Sequence, residues 1–237
     1  MDGIILAGGK GTRMQPLTFD TPKPLLEVQG KPILEWSLMG MRPVVDHVLI
    51  VVKYLKEQIE AFMARQTIFE QYTLVEQLPE PLGTGHALMC CAQHLRSRDF
   101  LVQNGDDLFG ARDLAKLAAV PLGILTIPRN DPEKYGVAVM DNDGRLSRLH
   151  EKPEPGTYPL PVQANIGAYK MDTRIFDYDL PRSPRGEYEI TDYVSWLAAN
   201  YAVEVVPADF WFPIGSPEDL DAAQQVDIQR DMLGRSS

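Results

Sequence analysis

Short runs of Val, Ile and Leu alternate with helix-periodic stretches through the first half of this chain. No other feature constrains the fold as much. Ile4-Ile5-Leu6, residues 47–52, Tyr72-Thr73-Leu74-Val75, Phe100-Leu101-Val102-Gln103 and residues 122–127 read as strands. Leu55 to Ala64, Gly83 to Leu95 and Leu114 to Ala119 read as helices between them. Strands that are apolar at consecutive positions are covered on both faces. The pattern therefore predicts an α/β fold, a mostly parallel sheet with helices on both faces. Ligands of such sheets sit beyond the carboxyl ends of the strands. Two segments are expected there: the loop after Leu6 and the turn Asn104-Gly105-Asp106-Asp107, with Asp107 serving the turn.

From about Asp131 the texture changes. Val137-Ala138-Val139-Met140 and Arg145-Leu146-Ser147-Arg148-Leu149 read as a hairpin across Asp141-Asn142-Asp143-Gly144. A proline-rich stretch from Pro153 to Pro161 precedes a further strand, Gln163 to Lys170, and an amphipathic stretch runs from Pro217 to Met232. No Gly/Ser linker, repeat or low-complexity run divides the chain, so residues 1–237 are expected to form a single domain. The prolines cluster at Pro22–Pro24, Pro79–Pro81 and Pro153–Pro161, which suits loops held stiff around a ligand.

Composition excludes several classes of function. With 23 basic and 33 acidic side chains the net charge is −10, which speaks against a nucleic-acid backbone as partner. The two cysteines, Cys90 and Cys91, are adjacent, rarely a disulfide geometry, and have no zinc-ligand spacing; they read as buried thiols. No apolar segment approaches the ~18 residues of a membrane span. The first strand starts at Met1 and leaves no room for a signal peptide, so a cytoplasmic protein is expected. The oligomeric state stays open, a homo-oligomer included.

The first strand runs into Leu6-Ala7-Gly8-Gly9-Lys10-Gly11-Thr12-Arg13, with Pro22-Lys23-Pro24-Leu25-Leu26 soon after. Glycines let backbone N–H groups approach an anion closely, and Arg13 and Lys23 add full positive charges, so the segment reads as a triphosphate cradle. It is not a Walker loop, which ends in Gly-Lys-Ser/Thr after four free residues. Nor is it the dinucleotide fingerprint, because Met14 stands where the third glycine belongs. A second block, Glu76-Gln77 with Pro81-Leu82-Gly83-Thr84-Gly85-His86-Ala87, offers an amide for the imide edge of uracil or thymine. His86 reads as a packing or capping residue.

The whole pattern, Leu-Ala-Gly-Gly-Lys-Gly-Thr-Arg-Met-x-Pro-Leu-Thr followed by Pro-Lys-Pro-Leu-Leu, resembles the signature of the sugar-phosphate nucleotidyltransferases. Matching segments run from residue 3 to about 220, and the Leu-Gly-Thr-Gly-His-Ala run is similar to the uridylyltransferases of amino-sugar 1-phosphates and, less closely, the thymidylyltransferases. The resemblance implies the Rossmann-like mixed sheet of nucleotide-diphospho-sugar transferases. About 1–130 would then be a nucleotide half, about 131–220 a sugar-phosphate half, and 221–237 a C-terminal helix and tail. It implies transfer of a nucleotidyl group from UTP or dTTP to a sugar 1-phosphate, with Mg²⁺, releasing pyrophosphate. Arg13 and Lys23 would be catalytic. Leu6, Ala7, Gly8, Gly9, Gly11, Thr12, Gln77, Gly83 and Thr84 would bind nucleotide, and Asp106 the metal. Gly136, Glu151, Lys152, Asn165 and Glu187 would hold the sugar phosphate. Ile190-Thr191-Asp192 fits either the family's Glu-x-Glu-Ile-Thr-Asp motif or a helix's first turn. No hexapeptide-repeat acyltransferase is expected.

One position departs from the pattern. The family usually reads Trp-x-Asp-x-Gly-Thr-Pro-Glu, its Asp a second metal ligand, whereas this chain has Trp211-Phe212-Pro213-Ile214-Gly215-Ser216-Pro217-Glu218. Proline cannot ligate. Three readings stay open: Asp106 holds the ion with phosphate and water alone, another carboxylate such as Asp209 substitutes, or the protein binds nucleotide sugar without turnover. A guanylyl- or cytidylyltransferase of the same fold is the alternative within the enzyme class.

Overall fold

The computed structural model describes residues 1–234; the last three residues of the expected polar tail lie outside the described residues. The chain opens with β1 (Asp2–Leu6), then a small hairpin, β2 (Glu27–Val28) and β3 (Lys31–Pro32), leading into α1 (Ile33–Met41). There follow β4 (His47–Val52), α2 (Lys56–Met63), β5 (Tyr72–Glu76), α3 (Thr84–Cys91), β6 (Asp99–Asn104), β7 (Asp107–Phe109), α4 (Ala111–Ala118) and β8 (Gly123–Arg129). The second half holds β9 (Gly136–Met140), β10 (Leu146–Glu151), β11 (Val162–Asp172), α5 (Ile190–Asn200), β12 (Glu204–Pro207), β13 (Trp211–Pro213), α6 (Pro217–Ala223) and α7 (Ile228–Asp231).

The strands expected from the apolar runs all form. The central nine-stranded sheet has the order β10-β9-β11-β6-β1-β4-β5, with β8 paired to β11 and β12. It is mixed, as expected of a Rossmann-like α/β fold. β6, β1, β4 and β5 are parallel, and the 131–172 region adds antiparallel β9, β10 and β11. Consecutive residues feed opposite faces. Ile4, Leu49, Val51, Phe100 and Val102 pack under α3 and α5, while Ile5, Val48, Ile50 and Leu101 pack under α1, α2 and α4. A third cluster joins Met14, Ile33, Trp36, Leu108, Ile214 and Met232 across α1, α6 and α7.

Several elements differ from the sequence reading. α1 was not expected as a helix because Ile33-Leu34-Glu35-Trp36-Ser37-Leu38 lacks a polar face. It serves two clusters at once, with Leu34 and Leu38 in one and Ile33 and Trp36 in another. The stretch from Pro217 to Met232 is two helices, the first closed by a capping box between Ser216 and Asp219. The helix expected over Gly83 to Leu95 is regular only to Cys91 and tightens to 3-10 over Ala92–His94. Cys91 is buried and Cys90 partly so, and neither is in a disulfide. No helix among the described residues is long and apolar enough to cross a membrane.

The carboxyl ends of β1 and β6 meet closely. Leu6 is in register with Asn104, and the Gly105 N–H donates to the Leu6 carbonyl at 3.0 Å. A Cβ on Gly105 would stand 2.6 Å from that carbonyl oxygen and 3.2 Å from the Ala7 Cα, both main-chain atoms with nowhere to go. Gly105→Ala is therefore expected to force the two loops apart, costing about 1–3 kcal/mol. Urea unfolding would read this, and a midpoint equal to that of the unsubstituted protein would contradict it.

Candidate active site

A cleft of about 560 Å³ opens at this edge. Its walls include every residue expected to bind nucleotide: Leu6, Ala7, Gly8, Gly9, Gly11, Thr12, Gln77, Gly83 and Thr84. Arg13, Lys23, Asp106 and Glu187 line it too. Gly136, Glu151, Lys152 and Asn165 are not on that wall and form a neighbouring group. Glu151 lies opposite Gly136 in the β9–β10 ladder, and a Cβ on Gly136 would come within 2.8 Å of the Glu151 Oε1. Lys152 is left-handed at φ 44°, its N–H donating to the Tyr135 carbonyl at 2.9 Å. Asn165 Nδ2 donates to the Tyr169 hydroxyl at 2.9 Å.

Arg185 and Glu189 also line the cleft; the sequence reading has Glu189 only as the second Glu of the Glu-x-Glu-Ile-Thr-Asp motif, with no role, and misses Arg185. Arg185 donates to Glu189 at 2.7 Å. That bond raises the guanidinium's pKa further, and the charges of Glu187 and Glu151 add to it. Arg185 thus ties the cleft wall electrostatically to the Gly136 group. Its signal in the sequence is an arginine two residues before Glu187, in the run Arg182-Ser183-Pro184-Arg185-Gly186.

Lys23 and Asp106 pair across the cleft floor, Nζ to Oδ2 at 2.6 Å, with the lysine side chain 7% exposed and the carboxylate 37%. The 3-10 turn Lys23–Leu25, set by Pro22 and Pro24, aims the ammonium. The Ile214 N–H donates to the Asp106 carbonyl at 3.3 Å and fixes the other side. Asp107 is not a turn residue. It starts β7, opposite Pro213, and is buried. Burial and the adjacent Asp106 carboxylate push its pKa up to about 8, against the opposing pull of Lys23. The turn shrinks to Gly105 and Asp106 because Asp107 is drawn into the β13 ladder. Asp209, the candidate substitute ligand, is taken up elsewhere: its carboxylate accepts from Lys116 on α4 at 2.6 Å.

Gln77 is buried, and its Nε2 donates to the Gly83 carbonyl at 2.9 Å and approaches His86 Nδ1 at 3.2 Å. Burial, with help from Arg182, lowers the His86 pKa and keeps the ring neutral, so Nδ1 can accept. With both amide hydrogens used, the Gln77 carbonyl is left facing the loop, its Oε1 3.4 Å from where a Gly8 Cβ would stand. Gly83 has φ 95°, and a Cβ there would meet the Tyr188 carbonyl at 2.5 Å. That closeness stitches the block to the Glu187 segment. Gly85 N–H donates to the Tyr188 carbonyl at 2.8 Å, and Ile190 N–H to Thr84 Oγ1 at 3.1 Å. Thr191 and Asp192 lie in the first turn of α5.

Among the described residues no three His, Cys, Asp or Glu side chains converge as a metal cage. The Asp106 carboxylate, partly exposed on a cleft wide enough for a nucleotide, fits a Mg²⁺ that keeps waters and takes its remaining oxygens from phosphates.

Known proteins resemble this chain along nearly its whole length. The bifunctional protein GlmU of Methanococcus aeolicus is 36% identical over 243 residues, covering 99% of this chain and 57% of GlmU. The chain thus spans about half the length of the GlmU relatives it matches. AglF of Haloferax volcanii, a UTP–glucose-1-phosphate uridylyltransferase, is 32% identical over 237 residues, covering 95% of this chain and 96% of AglF. The solved UDP-glucose pyrophosphorylase of Acinetobacter baumannii superposes with a TM-score of 0.82 at 21% identity, covering 98% of this chain and 95% of that one, and so shares the fold. The nucleotidyl transferase sequence profile matches residues 2–230, and on that match this chain belongs to the nucleotidyl transferase family.

Proposed function

We propose that this protein transfers a uridylyl or thymidylyl group from UTP or dTTP to a sugar 1-phosphate and releases pyrophosphate. The observation that carries the reading is the convergence of the glycine loop, Arg13, Lys23, Gln77 and Asp106 on one cleft. In this reading about 1–130 serves the nucleotide and about 131–220 the sugar phosphate.

A phosphate oxygen of the sugar 1-phosphate attacks the α-phosphorus in line. The bond from that phosphorus to the α,β-bridging oxygen breaks, and charge gathers on the leaving pyrophosphate. Arg13, exposed at the cleft mouth with no ion-pair partner among the described residues, is suited to that leaving group as a planar fork. Lys23 is suited to the α-phosphate, exchanging its carboxylate partner for phosphate oxygens. Asp106 would hold Mg²⁺, which when bound supplies positive charge to the polyphosphate. On the sugar side, Glu151 and Asn165 offer hydroxyl partners, and Lys152 and Arg185 offer cations to the sugar's phosphate. Glu187 closes the wall beside them, and the Gly136 main chain lets the ring approach.

The base follows from Gln77. Its free carbonyl accepts a hydrogen bond, and the imide N–H of uracil or thymine supplies one where the cytosine ring nitrogen does not. Leaving that acceptor unpaired costs about 1–3 kcal/mol, roughly a 10- to 100-fold preference over CTP. A second reading, a nucleotide-sugar-binding regulator without turnover, is favoured only by Pro213 at the position of the family's second carboxylate.

Pyrophosphate release measured across UTP, dTTP, GTP and CTP with several sugar 1-phosphates tests this directly. Turnover with UTP or dTTP well above CTP is expected, and Arg13→Ala should lower kcat by about 10²–10³-fold. Asp106→Ala should abolish turnover, and an unchanged rate would remove the metal assignment. No turnover together with tight binding of a finished nucleotide sugar would favour the regulator.

His86 gives a pH dependence. Its folded pKa lies below the ordinary 6.5, so the unfolded chain takes up the proton first. The neutral ring's contribution to stability is complete above 6.5 and lost as pH falls through the lowered value. Unfolding free energy without nucleotide should therefore drop more steeply between pH 6.5 and that lowered value in the unsubstituted protein than in His86→Gln. Parallel profiles would show that the ring is not held neutral.

A further inference from the structure

Arg129 closes β8 with a charge that two aromatic rings approach and that, among the described residues, no carboxylate answers. β8 is antiparallel to β11, which is antiparallel to β6, so the carboxyl ends of β8 and β6 share the sheet edge where the cleft opens. The side chain is half-buried, and its guanidinium carbon lies 5.3 Å from the Trp211 ring centroid and 5.6 Å from that of Tyr135. The two rings meet edge to face at 6.0 Å. The Arg129 Nε is buried without an acceptor. Among the described residues no carboxylate pairs with this guanidinium, although the chain carries 33 acidic side chains. Arg174, Arg185 and Arg230 all have carboxylate partners. The Trp211 indole N–H is directed toward Asp107 without reaching hydrogen-bond geometry, and Asp107 faces Asn104 at 3.5 Å rather than Arg129.

The aromatic pair therefore orients a planar cation beside the sugar half of the site, since Tyr135 directly precedes Gly136 and Trp211 lies two residues before Pro213. A guanidinium half removed from water and left unpaired is costly unless a ligand brings the missing anion. We propose that Arg129 selects a sugar 1-phosphate carrying a carboxylate, a uronic acid 1-phosphate, by a forked hydrogen-bonded pair between guanidinium and carboxylate. The inference rests on the reading of this cleft as a sugar 1-phosphate nucleotidyltransferase site. A carboxylate is favoured over a second phosphate because one planar cation matches one planar monoanion in charge and shape, whereas a phosphate dianion needs further cations.

Glucose 1-phosphate and glucuronic acid 1-phosphate differ only at the group in question. Initial rates of pyrophosphate release should give the unsubstituted protein a kcat/KM at least tenfold higher for the uronate. In Arg129→Met, which keeps a stem to pack on the rings, that ratio should fall at least tenfold, through KM for the uronate. Arg129→Lys, which keeps charge but loses the fork, should fall between the two and decides the matter if the Met variant does not fold. Equal or lower use of the uronate by the unsubstituted protein, or an unchanged ratio in both variants, overturns the inference while leaving the proposed transferase standing. Preference for glucose 1,6-bisphosphate over the uronate likewise overturns it. If no sugar phosphate is turned over, the transferase reading fails. Calorimetric titration with the same two sugar phosphates then decides for Arg129: tighter uronate binding that Arg129→Met removes supports it, and equal binding overturns it.

Discussion

The structure turns on the position of β1 between two parallel neighbours. Leu6 is opposite Val51 of β4 on one side and Asn104 of β6 on the other, so the chain leaves β1 one way and later returns on the other. At such a switch in strand order the connecting loops diverge and a crevice must open at the carboxyl edge. The glycine loop enters that crevice directly from β1. Gly105 keeps it narrow, because only a residue without a side chain lets the β6 turn lie against the Leu6 carbonyl. The cleft is thus a consequence of strand order plus one close approach of main chain.

Electrostatics then give the crevice its ligand class. The protein as a whole is acidic at −10, yet Lys10, Arg13, Lys23 and Arg185 all stand on this cleft. These four outnumber the cleft's Asp106, Glu187 and Glu189 only by one, and in the proposed function this local excess in an acidic molecule favours a compact polyanion over an extended one. The Lys23–Asp106 pair adds a condition. It is partly shielded from water, and in the proposed reaction phosphate oxygens take over Lys23 as Asp106 turns to a cation, so the two exchanges are coupled. Coupling of this kind favours joint arrival of triphosphate and metal.

What the sequence made legible follows physical rules of different reach. Strands such as His47–Val52 announced themselves because burial on both faces leaves consecutive apolar residues, and the nucleotide-side residues were contiguous in two short loops. α1 did not, because a helix packed by two clusters loses the periodicity that marks a one-sided helix. Asp107 misled because an Asp after Gly-Asp commonly makes a turn, whereas here pairing with the distant Trp211–Pro213 segment draws it into a strand. That pairing spans about a hundred residues, and no local pattern encodes it. Arg185 and Arg129 were invisible for a related reason. Their meaning lies in which partners they have or lack in space.

Pro213 gathers these threads. A proline without side-chain oxygen stands in the ladder opposite a buried Asp107 whose proton is held to about pH 8. An Asp at 213 would set a further carboxylate near Asp106 and the protonated Asp107, repelling the Asp106 charge, with Lys23 as the neighbouring cation. Proline removes that repulsion and leaves the segment a mechanical task. The Ile214 N–H, one residue on, holds the Asp106 carbonyl at 3.3 Å and so fixes the angle at which the Asp106 carboxylate meets the cleft. In the proposed function the site would then present Asp106 to a cation without a second carboxylate from position 213. The substrate's own phosphates would, in the proposed reaction, supply the remaining oxygens to a cation held at Asp106.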